Sequence, residues 1–174
     1  MKLAKPWKSR SDYASAGAET PAFSVYSFSD KPPSIQLASK VSTVDKLRSD
    51  VRSKNTDEVA EVGVGKVATH ASRAYSDSFG PCTAVVAIRN GQVTLHHSSS
   101  FDTDTLNAML KDESSEIHIV AKPVGNIRRQ AANIDYILKS ASENANVHII
   151  DAKTSGLTAI DATPSGIVIY HTPL

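Results

Sequence analysis

The chain of 174 residues holds a single cysteine, Cys82, and an adjacent pair of histidines, His96-His97, that follows it at short range. A thiol and an imidazole together can do nucleophilic chemistry. A free thiol, with a pKa of about 8.5, is mostly protonated and sluggish at neutral pH until a neighbouring imidazole takes its proton or stabilises the thiolate. The same imidazole can then protonate a leaving group and deprotonate an attacking water. The competing role for a lone cysteine is that of a small buried hydrophobe. One cysteine leaves no internal disulfide and no thiolate cluster for zinc.

The elements around these residues decide whether they can meet. Thr83-Ala-Val-Val-Ala-Ile-Arg89 and Gln92-Val-Thr-Leu-His-His97 flank Asn90-Gly91. Asn-Gly between two β-rich runs is the strongest short hairpin signal, because a type I′ turn needs positive φ at both central residues. A two-residue turn pairs Arg89 with Gln92, Ile88 with Val93 and Ala84 with His97. Side chains alternate between faces along a strand, so Cys82, Ala84, Val86 and Ile88 share a face with Val93, Leu95 and His97. Cys82 and His97 become diagonal neighbours, with Cβ atoms roughly 7–8 Å apart or less. His96 points the other way, opposite Val85; a one-residue bulge would exchange the two histidines. Phe79-Gly80-Pro81 predicts a tight turn before the thiol that would aim the Cys82 N–H at a developing oxyanion. Pro81 has no N–H to add, so a second donor has to come from another residue.

The rest of the chain reads as one domain preceded by an arm. Residues 1–41 are rich in Ser, Pro, Ala and Lys and are interrupted by Pro6, Pro21, Pro32 and Pro33. They predict a flexible N-terminal arm, whose composition would suit a secretion signal. Residues 42–174 carry the elements. Ser42 and Asp45 resemble a capping box for a helix with Val44, Leu47 and Val51 on one face. Val59 to Ala68 reads as a strand interrupted by Gly63 and Gly65, and Arg73 to Pro81 as a polar loop. A short helix over 103–111, a strand over 116–121 and an amphipathic helix over 126–143 follow. A strand over 147–152 comes next, then a hairpin of 157–162 and 166–171. Strands that arrive mostly as hairpins with helices between them give α+β, with antiparallel or mixed sheets.

Composition excludes several classes of function. Net charge is +1 and 21% of residues are charged in mixed order, which leaves no electrostatic footprint for nucleic acid or an anionic membrane. The apolar runs are strand-length, so no membrane span is expected. Met1 to Ala18 lacks the apolar core of a signal peptide. His70, His118, His148 and His171 have no ligand spacing and read as structural or surface residues, so no metal is expected. Val62-Gly-Val-Gly-Lys66 lacks the spacing and following hydroxyl of a phosphate loop. Arg128-Arg129 falls on the solvated side of its helix.

Gly80-Pro-Cys82-Thr-Ala-Val-Val-Ala-Ile-Arg89, with His97 fifteen residues after the cysteine, resembles the catalytic segment of the cytotoxic necrotizing factors, which are Cys–His glutamine deamidases. The second half resembles the bacterial chemoreceptor glutamine deamidases, which share that fold. Val124-Gly125-Asn126-Ile127 leads into a helix, then come Val147-His-Ile-Ile-Asp151, Ser155-Gly156-Leu157 and Pro164-Ser-Gly166-Ile-Val-Ile-Tyr170, in that group's order. The resemblance spans about residues 58 to 172. It implies a central β-sandwich flanked by helices, no cofactor, and hydrolysis of a protein glutamine to glutamate by Cys82 and His97 through a thioester. Transglutamination is the same chemistry with an amine in place of water.

Pro81 stands where the family usually carries Ser or Gly. The chemoreceptor branch implies an orienting hydroxyl six positions before the cysteine, which is Ser76. The toxin branch implies a main-chain carbonyl instead, which Val62 to Val64 would supply. Leu95-His96-His97-Ser98 replaces the Gly-rich and Asn-His surroundings of the chemoreceptor enzymes and points to a toxin or effector. The implied partner is a target protein with a susceptible glutamine in a host or other cell. A secretion chaperone or other delivery partner would accompany it. The rivals are a chemoreceptor-type enzyme acting in its own cell and a non-catalytic binding module on the same fold. A cysteine protease of papain type needs a far larger Cys-to-His separation.

Overall fold

The computed structural model describes residues 15–19, 23–27, 34–54, 58–80, 82–99, 102–111, 116–121, 127–142, 145–152 and 158–172. The expected export signal in residues 1–14, Pro81, and the Val124-Gly125-Asn126 and Ser155-Gly156-Leu157 segments lie outside them. So do the side chains of Arg128 and Arg129.

The described residues form α+β with two mixed sheets and three helices. The strands are β1 (Ser15–Glu19), β2 (Phe23–Ser27), β3 (Ile35–Lys40), β4 (Ala60–Glu61), β5 (Val67–Ala71) and β6 (Ala74–Ser76). They continue with β7 (Thr83–Arg89), β8 (Gln92–Ser98), β9 (Glu116–Ala121), β10 (Asn146–Ala152), β11 (Thr158–Thr163) and β12 (Gly166–His171). The helices are α1 (Val44–Ser53), α2 (Thr103–Leu110) and α3 (Ile127–Ser140). A seven-stranded sheet runs β1-β2-β10-β9-β7-β8-β5 and a five-stranded one β3-β12-β11-β6-β4. Pairs β9–β10, β3–β12 and β4–β6 are parallel and the others antiparallel.

Three apolar clusters define the layers. Ala84, Val86, Ile88, Val93, Leu95 and Val120 of the larger sheet pack against Ala74, Ile160, Ile167 and Ile169 of the smaller one. The larger sheet's outer face, with Val85, Ile117, Ile119 and Ile149, is covered by Leu106 and Met109 of α2 and Ile134 and Ile137 of α3. Leu47 and Val51 of α1 cover Tyr75, Ala159 and Tyr170 on the smaller sheet's outer face. β7 is therefore buried on both faces, which is why its sequence is an unbroken apolar run rather than an alternating one.

The hairpin forms in the expected register, with Arg89 opposite Gln92, Val85 opposite His96 and Ala84 opposite His97, and no bulge between β7 and β8. Asn90 and Gly91 have φ of 47° and 75°, as a type I′ turn requires. Elsewhere the structure corrects the expectations. Residues 15–40 do not all belong to a flexible arm: β1 pairs with β2, β2 with β10 and β3 with β12, so its three strands are built into the sheets. Pro6, Pro21, Pro32 and Pro33 lie outside the described residues. The stretch read as a polar loop contains β6. The cap of α1 is Thr43, whose side chain accepts from the Lys46 N–H, rather than Ser42.

A buried ion pair ties α1 to the smaller sheet. Arg73 forks onto Asp161 with Nε–Oδ1 at 2.8 Å and Nη2–Oδ2 at 3.0 Å, and Nη2 also donates to the Val51 carbonyl at the end of α1. Removing one partner leaves an uncompensated buried charge. Asp161→Ala is therefore expected to cost about 3–5 kcal/mol in urea unfolding. A paired Arg73→Met, Asp161→Leu replacement should recover most of that loss.

Candidate functional site

Cys82 lies immediately before β7, and His97 is the sixth residue of β8. Because Ala84 faces His97, Cys82 two residues earlier is the diagonal neighbour of the imidazole on the inter-sheet face, Cβ to Cβ roughly 7–8 Å or less. Both are buried, and Cys82 packs in the inter-sheet cluster with Val62 and Phe79. His96 faces the helices, its Nδ1 2.9 Å from the Lys66 carbonyl oxygen. The register thus places Cys82 diagonal to His97 and leaves His96 on the far side of the sheet.

Ser76, at the end of β6 in the opposite sheet, meets His97 across the interior: its Oγ is 2.8 Å from Nδ1. The same Oγ donates to the Val62 carbonyl at 2.6 Å. A serine has one hydroxyl proton and a carbonyl can only accept. Ser76 must therefore give its proton to Val62 and receive one from Nδ1–H. That fixes the neutral tautomer: Nδ1 carries the hydrogen and Nε2 carries the lone pair. Nε2 is buried and has no hydrogen-bond partner among the described residues. The two alternatives for the orienting group therefore occur in series, with the hydroxyl on the ring and the carbonyl one bond behind it.

Phe79 was not singled out in the sequence, and it has two contacts here. Its ring stacks on His97 with centroids 4.0 Å apart and planes inclined by 18°. Its carbonyl accepts the Cys82 N–H at 2.5 Å, closing the turn into β7. This corrects the expectation for the oxyanion: the Cys82 N–H is engaged inside the turn, so oxyanion donors have to come from elsewhere. An aromatic three residues before a thiol has no signature of its own; only the folded turn lays its ring over the imidazole.

The His97 pKa is lowered to about 4, chiefly by burial and also by the neighbouring His96, with Asp77 opposing the shift. At neutral pH the ring is an uncharged base. It suits accepting the thiol proton during attack rather than holding a preformed thiolate–imidazolium pair. Asp77 itself is pushed up by burial, but hydrogen bonds from Arg48, Tyr75 and Ser78 outweigh that and hold it below its usual range. Arg48 reaches it with Nε–Oδ2 at 2.7 Å and Nη2–Oδ1 at 3.1 Å.

A cleft of about 950 Å³ opens between α1 and the ends of β4 and β6, lined by Arg48, Arg52, Glu61 and Tyr75 among others. Its wall includes Val62 and Ser76, but neither Cys82 nor His97. It borders the groups that hold the imidazole, not the thiol. The other histidines lie elsewhere. His118 and His148 are buried side by side on β9 and β10, with ring centroids 5.4 Å apart. His118 Nε2 is 2.8 Å from Glu116 Oε1, and His148 Nδ1 is 2.6 Å from Ser27 Oγ. His70 is exposed beside Gln92, and His171 ends β12.

No protein-family model matches this chain, and no curated protein matches it significantly.

Burial also lowers the His148 pKa to about 4, with His118 adding to the shift and Glu116 opposing it. Both rings titrate near 6.5 once unfolded. Below that pH the unfolded chain binds protons that the folded chain refuses, so their contribution to stability is complete above about 6.5. It is lost as pH falls towards about 4. Denaturant midpoints are expected to drop across this window, and His97→Phe should flatten part of the slope.

Proposed function

We propose that this protein is a Cys–His protein-glutamine deamidase of the toxin or effector type, with a deamidase-like fold. The observation that carries the reading is the Val62 carbonyl–Ser76–His97 relay. It leaves an imidazole lone pair on the face that carries Cys82. The resemblance of the Gly80-Pro-Cys82 segment to the cytotoxic necrotizing factors supplies the substrate class.

In this mechanism His97 Nε2 takes the Cys82 thiol proton as sulfur attacks the carbonyl carbon of a glutamine side chain. The tetrahedral intermediate expels nitrogen, which receives that proton and leaves as ammonia, and a thioester remains. His97 then deprotonates water as its oxygen attacks the thioester carbon, the carbon–sulfur bond breaks, and the sulfur takes the proton back from His97. The target gains a carboxylate and a negative charge, which is enough to disable a switch residue. An amine in place of water gives transglutamination as a side activity. No cofactor enters this scheme. The reading includes secretion or injection from a bacterium into a target cell, where the protein acts as a virulence factor.

A second reading is favoured by one contact. The hydroxyl of Ser76 on His97 is the orienting element of the chemoreceptor branch, which supports an enzyme acting on receptors in its own cell. Deamidation of purified chemoreceptors, set against glutamines in a host-cell lysate scored by mass spectrometry, separates the two.

Cys82→Ser and His97→Ala are expected to abolish ammonia release. Ser76→Ala should lower kcat by about ten- to a hundredfold, part of the ~10²–10⁴ that a well-placed acid–base group contributes. Iodoacetamide should alkylate Cys82 more slowly in His97→Ala and at the wild-type rate in His96→Ala. Full activity in Cys82→Ser would sink this mechanism, whereas a thiol indifferent to His97 in a protein that releases no ammonia would leave a binding module on this fold.

A further inference from the structure

Phe79 is tied to the candidate site through both its side chain and its backbone. Its ring is buried, 4.0 Å from the His97 ring, with the two planes 18° apart. Its carbonyl accepts the Cys82 N–H at 2.5 Å. The residues on either side of it, Ser78 and Gly80, have φ of +61° and +43°. A serine in the left-handed region is uncommon, and such conformations persist only where neighbouring contacts impose them. Here the Ser78 hydroxyl donates to Asp77 Oδ1 at 3.0 Å. Asp77 also accepts from Arg48 of α1, and from the Tyr75 hydroxyl at 2.8 Å. The turn is thus anchored to α1 on one side and to the residue before β7 on the other. What it delivers is a phenyl ring laid almost parallel to an imidazole.

The Ser76 hydroxyl alone does not fix that imidazole. It holds one atom, Nδ1, at 2.8 Å. The torsion that sets the plane of a histidine ring is broad, so a ring held only at Nδ1 can still swing Nε2 through an arc. A planar neighbour against the ring face closes the arc. An aliphatic chain of similar size fills the same volume but has no plane to match. The hydroxyl therefore sets where Nδ1 lies, the stack sets the tilt of the ring, and together they place Nε2. We propose that Phe79 is a positioning residue, whose ring holds the His97 imidazole in the plane from which Nε2 takes the Cys82 proton. The inference rests on the reading of His97 as the base for Cys82.

The test compares iodoacetamide alkylation of Cys82 at neutral pH in four proteins: wild type, Phe79→Leu, His97→Ala and the double variant. Leucine should slow the reaction about three- to tenfold, within the roughly 10²-fold that misplacing a reacting group can cost. A purely space-filling role predicts the opposite sign, because a looser turn exposes the thiol and speeds its alkylation. The loss should also vanish in the absence of the imidazole, the double variant reacting no more slowly than His97→Ala. Phe79→Met, which also lacks a ring, gives the same comparison if the leucine variant does not fold. An unchanged or faster rate in Phe79→Leu overturns the positioning role and leaves the Cys–His pair standing. So does a loss of equal size with and without His97. A thiol as reactive in His97→Ala as in wild type removes the base, and the positioning role with it.

Discussion

One hydrogen bond between the two sheets organises this molecule. Stacked sheets lie about 10 Å apart, a gap that apolar side chains fill without difficulty and that polar ones can occupy only in pairs. His97 from the larger sheet and Ser76 from the smaller meet in it at 2.8 Å. Ser76 can face the ring only because β6 pairs with β11, placing it opposite Ile160, and because Val62 supplies a carbonyl behind it. Had the apolar layer been complete here, no imidazole could be held with one nitrogen committed and the other unpartnered.

Between the sheets, buried histidines gather in two groups. One contains His97; the other comprises Glu116, His118, His148 and Ser27, with His118 opposite Val86 and Glu116 opposite Ile88. Glu116 resembles Asp77 in its electrostatics. Burial raises its pKa, but hydrogen bonds from His118 and the Ser34 N–H dominate and hold it at about 2. Both groups thus solve the same desolvation problem, by surrounding a carboxylate with donors and leaving one imidazole at each, His97 and His148, uncharged at neutral pH.

How much of this was legible in the sequence depended on how local its cause was. The β7–β8 register was readable because Asn-Gly leaves one turn type, and a two-residue turn fixes every pair above it. Helices α2 and α3 were readable from apolar period. The strands within residues 15–40 were not, because short runs among prolines show no period and what makes them strands lies at the other end of the chain. β6 is three residues long, too short to show alternation, so the position of Ser76 across from His97 could be suggested only by resemblance. The Phe79 stacking and the engagement of the Cys82 N–H were invisible for the same reason: both arise when a turn closes.

The pairing of β2 with β10 and β3 with β12 joins the first strands of the described chain to the last, with Ser27 bonded to His148 across 121 residues. Closing such long loops is slow, and β2 and β3 cannot join the sheets until β10 and β12 exist. A chain emerging amino end first, from a ribosome or a narrow pore, cannot complete either sheet halfway through. Cys82 and His97 sit mid-chain on a hairpin that can form early, yet the wall that holds the imidazole is finished last. The Ser76–His97 contact is therefore completed only once the last strands have paired, because β6 is held by β11.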